Sequence, residues 1–105
     1  MTKVDFRVSG QSVQTATVQS RLPMSVIRNN EVVISSPLPQ DTPLNDHLVW
    51  LWGMLKHERR FLKSVVQAGG ALTIECKVPK GQVRLLPNGA QLVHLLGAEL
   101  VLNTQ

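Results

Sequence analysis

Leucine and valine residues recur at helical spacing in the middle of the chain and predict one long amphipathic helix over residues 42–68. Its apolar face consists of Leu44, Leu48, Leu51, Leu55, Leu62 and Val66. Pro43 suits the first helical position, where a missing backbone donor costs nothing, and Asp41 or Thr42 can cap the free N–H groups. The glycine pair at 69–70 ends the helix, because glycine turns left-handed without strain. We expect burial of this face, worth ~1.5–3 kcal/mol for each large side chain, to be the main interaction that stabilises the helix.

Large side chains also lie on both borders of the leucine face. On one border, Trp50, Met54 and Phe61 form what we call the aromatic shoulder, and Trp52 lies on the other border. The apolar arc therefore covers about half of the helix circumference, wider than the ~100° stripe of a simple surface helix. Two interpretations stay open: further elements of the fold cover the shoulder, or it is left for a partner.

Alternation of apolar and polar residues predicts two half-buried strands, at residues 3–8 and 72–78. The inward row of the second strand should meet the leucine face of the long helix. Two short apolar segments, 24–28 and 31–35, flank an Asn-Asn pair. Because asparagine tolerates positive φ, this pattern predicts a tight hairpin. Residues 99–103 form a closing strand.

The remaining segments are less clearly patterned. Residues 12–22 can be a helix capped by Ser12, yet their β-branched residues suit a strand equally well. Asn88, with Gln91 in the capping-box position, predicts the start of a short helix that ends at a glycine. Residues 82–86 can be a short strand or an irregular loop.

The resulting order is strand, uncertain helix, hairpin, long helix, strand, short helix, strand. It predicts a single α+β domain over residues 1–105, with two layers and a mainly antiparallel sheet crossed by the long helix. The first part matches a ferredoxin-like split βαβ arrangement, to which a short helix and a strand are added.

A set of residues spread over nearly the whole chain matches a known pattern: Phe6 to Gly10, Leu22-Pro23, Val32 to Ser36, Leu44, His47-Leu48, Gly69 or Gly70, Cys76 and Leu95-Leu96-Gly97. In these residues the chain resembles the bacterial domain of unknown function 4279 family. The resemblance implies a helix at residues 12–21. It implies no activity, cofactor or catalytic residue.

Composition bounds the class of protein. A chain of 105 residues can bury a hydrophobic core without the help of disulfides or metal ions. Its one cysteine, Cys76, permits no internal disulfide. The first residues lack the apolar core of a signal peptide, and the longest strongly apolar run, 48–55, is too short to cross a membrane. We expect a soluble cytoplasmic protein that does not act at a membrane. The net charge of +4 is compatible with acidic partners or nucleic acid but argues for neither.

Soft ligands and nucleophiles are few. His47 and His57 lie roughly 15 Å apart along one helix, so they cannot share a metal ion. We expect His47 to hydrogen-bond to the preceding loop. Cys76 belongs to an inward strand row, which favours a buried structural thiol over a nucleophile paired with His94. We therefore expect no metal, no cofactor and no enzymatic activity.

Two functional hypotheses concern the long helix. The aromatic shoulder supplies residue types that are enriched at binding hot spots, and it favours a non-catalytic protein-interaction module, either a homodimer or a binder of another protein. The alternative is nucleic-acid binding through the basic ridge, which consists of Lys56, Arg60 and Lys63 at i, i+4 and i+7. No helix-turn-helix, zinc finger or stacking sheet accompanies this ridge, so a solvated helix face is favoured over a nucleic-acid site.

Overall fold

In the computed structural model, which describes residues 2–81 and 84–104, five strands form one mixed sheet and the helices cover one of its faces. The strands are β1 (Lys3–Ser9), β2 (Val26–Arg28), β3 (Glu31–Ser35), β4 (Ala71–Val78) and β5 (Glu99–Thr104). The helices are α1 (Thr15–Arg21), α2 (Leu44–Leu55), α3 (Arg59–Gln67) and α4 (Pro87–Leu96), and a turn of 3₁₀ helix (Lys56–Glu58) joins α2 to α3.

The strand order is β2-β3-β1-β4-β5. The strands β1, β2, β3 and β4 pair antiparallel in the order of a ferredoxin-like split βαβ unit, and β5 is added parallel to β4 through the crossover helix α4. The α+β architecture expected from the sequence is confirmed.

The inner face of the sheet is a continuous apolar layer, because the pleat turns alternate residues of neighbouring strands to the same side. Phe6 of β1 pairs with Ile34 of β3 and with Ile74 of β4, and these three side chains are at most 1% exposed. The helices α1, α2, α3 and α4 all contribute buried side chains to the cluster around this layer.

The long helix, residues 44–67, supplies the facing apolar row. Its leucines are almost completely buried: Leu44, Leu48, Leu51, Leu55 and Leu62 are 0–6% exposed. Val66 was predicted to share this row but is 42% exposed. A 3₁₀ turn advances about 120° per residue, against about 100° in an α-helix. Three such residues therefore rotate α3 by about 60°, which turns Val66 outward and Val65 and Phe61 inward.

The structure decides the two predictions for the segments between β1 and β3, namely the hairpin and the uncertain helix. Asn29 and Asn30 have φ of 50° and 62°, as a two-residue turn of the I′ type requires, so the hairpin is confirmed. The segment over 12–22 contains helix α1, in agreement with the resemblance, but the residue before its first turn is Gln14 and the expected Ser12 cap is wrong.

Two other predicted caps are also wrong. Pro43 immediately precedes α2 and no side chain caps the helix; the loop turns through a hydrogen bond from Thr42 N–H to the Pro39 carbonyl. At α4, Pro87 is the first helical residue because its fixed φ suits that position, which places Asn88 inside the first turn. Arg84 to Leu86 have no regular structure, and Gln82 and Val83 lie outside the described residues.

Two glycines give opposite expectations for replacement by alanine. At Gly53, inside α2, a Cβ would meet nothing within 4 Å, so Gly53→Ala should raise the free energy of unfolding by about 0.5–1 kcal/mol. At Gly70, a Cβ would lie 2.7 Å from Val65 Cγ1 and 3.0 Å from the Val65 carbonyl oxygen. Gly70→Ala should therefore lower the free energy of unfolding by about 1–3 kcal/mol. Urea denaturation of both variants measures this, and changes of the same sign would contradict the packing of α3 against the start of β4.

Candidate functional site: a basic cleft beside the long helix

The structure does not keep the aromatic shoulder together as one surface. Trp50 and Met54 are half-buried and pack against the core cluster. Phe61, turned inward by the 3₁₀ rotation, lies against α1, where the guanidinium carbon of Arg21 is 4.9 Å from its ring centroid. Arg21 is in turn held by Glu58, at 2.9 Å between Nη2 and Oε2. Much of the shoulder is thus core lining.

The basic ridge is exposed, but only part of it borders a concavity. Arg60 and Lys63 line a cleft of about 530 Å³ between α3 and the end of α4, and Lys56 lies outside it. The residues that line this cleft, which we call the basic cleft, are Arg59, Arg60, Lys63, Val66, His94, Leu95, Leu96 and Gly97.

Arg59 fixes one wall of the basic cleft. Its Nε donates a hydrogen bond of 3.3 Å to the carbonyl of Leu95, one of the last-turn carbonyls of α4 that lack a helical partner. The guanidinium carbon also lies 5.6 Å from the Trp52 ring centroid, within cation–π range. The positive charge is well placed beside the negative end of the α4 dipole. Arg59 therefore ties α3 to α4 and gives the cleft its shape.

The cleft is electrostatically one-sided. Three of its lining residues are arginine or lysine, and no acidic residue of the described chain lines it. Val66, 42% exposed, and Leu96 add apolar surface. Such a site can bind an anionic group next to an apolar one.

Of the residues that line the cleft, only Arg60 and Lys63 were among the predicted site residues. Arg59 and His94 were not, and His94 was considered only as a partner of Cys76. The approach of α4 to α3 brings them together, and no local pattern in the sequence encodes that approach. The glycine at the end of α4, Gly97, was the one signal that α4 stops there.

The remaining histidine, His47, is 1% exposed beneath the loop that precedes α2. Its Nδ1 lies 2.7 Å from Ser36 Oγ, while Nε2 has no hydrogen-bond partner within the described chain. Burial lowers the pKa of His47 below its ordinary value and outweighs the opposing effects of the Thr42 backbone, Asp46 and the Pro39 backbone. The expected hydrogen bond to the preceding loop is confirmed, and the residue anchors the helix entry.

Cys76 is fully buried in the inner sheet row, as predicted. Burial, reinforced by Asp5 and Glu75, raises the pKa of its thiol to about 12, so the thiolate form is strongly disfavoured. His94 is exposed on α4, on the rim of the basic cleft. Within the described residues, no three His, Cys, Asp or Glu side chains converge as a metal site would require.

The outer face of the sheet carries a second group of charges. Arg7 lies 3.6 Å from Asp5 and 3.7 Å from Glu75, with Asp5 only 6% exposed. These side chains come together because β1 and β4 are adjacent strands.

Comparison with protein-family models, curated proteins and solved structures finds no match to this chain. The resemblance to the domain of unknown function 4279 family stays a prediction from the sequence. None of the helices in the described part of the chain combines the length and apolar character needed to cross a membrane.

His47 gives a testable pH dependence. The folded state resists protonation of this ring, whereas the unfolded chain binds the proton near the ordinary pKa of 6.5. The contribution is therefore fully present above pH 6.5 and is lost as the pH falls below it, with a slope of up to about 1.4 kcal/mol per pH unit. Unfolding in urea, measured at several values between about pH 5.5 and 7.5, should show this slope.

The matched variants are His47→Gln and His57→Gln. The first removes the buried ring and should flatten the pH dependence, even though it lowers stability overall. The second replaces an exposed histidine and should keep the slope. Identical slopes in both variants would rule out His47 as the origin.

Proposed function

We propose that this protein is a non-catalytic protein-interaction module, and that the long helix and α4 together receive an acidic segment of a partner protein in the basic cleft. The observation that supports the proposal is the cleft lining, with Arg59, Arg60 and Lys63 beside exposed Val66 and no acidic residue among the described ones.

The ridge residues are available for such a partner. Lys56, Arg60 and Lys63 are exposed, and within residues 2–81 and 84–104 none of them forms an ion pair within 4.0 Å. Carboxylates of a partner would meet cations that no internal acid neutralises, which favours association and sets its orientation. A second copy of the chain is a poor occupant here, because it would bring the same excess of positive charge.

The apolar part of the cleft favours a peptide over nucleic acid. Val66 and Leu96 offer contacts to aliphatic side chains, whereas a phosphate backbone would use only the cations. Nucleic-acid binding remains the second candidate, since Lys56, Arg60 and Lys63 lie along one exposed ridge. We also propose a cytoplasmic location, which a single buried thiol with no disulfide partner supports.

Isothermal titration calorimetry with a synthetic peptide of glutamate and leucine residues tests the proposal at low ionic strength. We expect binding that weakens with added salt and that falls at least about fivefold in Arg60→Glu and in Lys63→Glu, because each replacement turns an attraction into a repulsion. The control variant, Lys80→Glu, makes the same change of charge at an exposed residue outside the cleft.

Two outcomes would redirect the interpretation. Equal weakening by Lys80→Glu would mean that only net charge matters and would reject the cleft. Salt-dependent binding of a mixed-sequence oligonucleotide that is lost in Lys56→Glu, Arg60→Glu and Lys63→Glu, with no binding of the acidic peptide, would replace this proposal with the nucleic-acid one.

A further inference from the structure

The outer face of the sheet, opposite the helices, carries every charged residue of the five strands. They are Lys3, Arg7, Arg28 and Lys77 together with Asp5, Glu31, Glu75 and Glu99. Four of the eleven basic and four of the seven acidic residues of the chain thus lie here, so this face is neutral and the whole excess of +4 lies elsewhere.

Four of these charges form two rows across β1 and β4. Asp5 is paired directly with Glu75, and the next pair on the same face is Lys3 with Lys77. Like charges directly opposite one another on neighbouring strands destabilise a sheet. The outer face therefore holds an acidic row and a basic row side by side, separated by two residues along the strand, or about 6.8 Å.

Within one chain the acidic row is only partly neutralised. Arg7 approaches both acids, but its contacts of 3.6 and 3.7 Å are long and one cation faces two carboxylates. Asp5 Oδ1 also has no hydrogen-bond donor within the described chain. Lys3 and Lys77 form no ion pair within 4.0 Å among the described residues. The two rows are complementary to each other but do not meet.

We propose that the outer face is the interface of a homodimer in which a second copy packs sheet against sheet. A two-fold axis that runs between the two rows and parallel to them exchanges the rows of the two copies. It places the basic row of each copy over the acidic row of the other, so Lys77 of each copy faces Glu75 of the other across the interface. Asp5 is only 6% exposed and already lies beside Arg7, so it attracts the approaching Lys3 through its charge and not by direct contact. The interface thus gains two symmetric ion pairs between Lys77 and Glu75.

Charge also explains why the second copy packs on the outer face of the sheet and not on the helix layer. The helix layer carries the positive excess and would repel itself, whereas the outer face is neutral and self-complementary. An interface of this polarity is held largely by ion pairs, so the dimer should be concentration-dependent and should dissociate as salt screens the pairs.

Sedimentation equilibrium of the full chain, over a wide concentration range at low and high salt, tests the proposal. We expect a monomer–dimer equilibrium that shifts at least tenfold towards monomer in Lys77→Glu. This replacement relieves the repulsion between Lys3 and Lys77 within the chain, so it should leave the folded monomer at least as stable. Lys63→Glu makes the same change of charge on the helix layer and should leave the dimer intact.

The charge-swapped double variant Glu75→Lys/Lys77→Glu restores opposite charges at position 77 of one copy and position 75 of the other, so it should recover the dimer. A wild-type chain that stays monomeric at every concentration would overturn the proposal. So would a dimer that survives Lys77→Glu, or a double variant as monomeric as the single one. Peptide binding in the basic cleft is independent of this interface and should be unchanged in Lys77→Glu, which separates this inference from the proposed function.

Discussion

The contact between the leucine row of the long helix and the inner face of the sheet is the constraint on which the rest of the structure depends. Leu48, Leu51, Leu55 and Leu62 are at most 1% exposed, and the sheet residues that they cover are equally buried. At about 2 kcal/mol for each leucine, this burial is comparable to the whole net stability of a small domain, about 5–15 kcal/mol. The helix, its entry loop and the helices beside it are positioned by that one packing surface.

The 3₁₀ turn at Lys56–Glu58 links this packing to the chemistry of the surface. It keeps Leu62 on the core side while rotating its neighbours, so that Phe61 moves towards α1 and Val66 moves into solvent beside Lys63. Arg59 then reaches the end of α4 and completes the basic cleft. A straight α-helix with the same leucines would bury Val66 and present a plain basic ridge. The basic cleft thus forms because the 3₁₀ turn rotates α3 while the leucine row stays packed on the sheet.

Sequence patterns predicted most of the fold, because each inner strand row and the leucine face follow the period of their element. The hairpin was predictable from Asn29-Asn30 and the buried state of Cys76 from its place in an alternating row. The helix caps were not, since Thr42, Ser12 and Asn88 are favourable cap residues that other loop geometry displaces. The rotation of α3 was also unpredictable. One straight helix, and a pair of helices α2 and α3 rotated by about 60° relative to each other, have nearly the same apolar pattern in the sequence. Half of the candidate site depends on that rotation and on the approach of α4.

Native-state hydrogen exchange of the amides in α2, α3, β1 and β4 tests most directly whether the long helix and the sheet are one cooperative unit. We expect the amides around Leu51 and around Leu62 to exchange only through global unfolding, with the same free energy as the central amides of β1 and β4. Exchange of α3 through a separate, lower-energy opening at the Lys56–Glu58 turn, while α2 stays protected, would show that the helix is two units and would contradict this account.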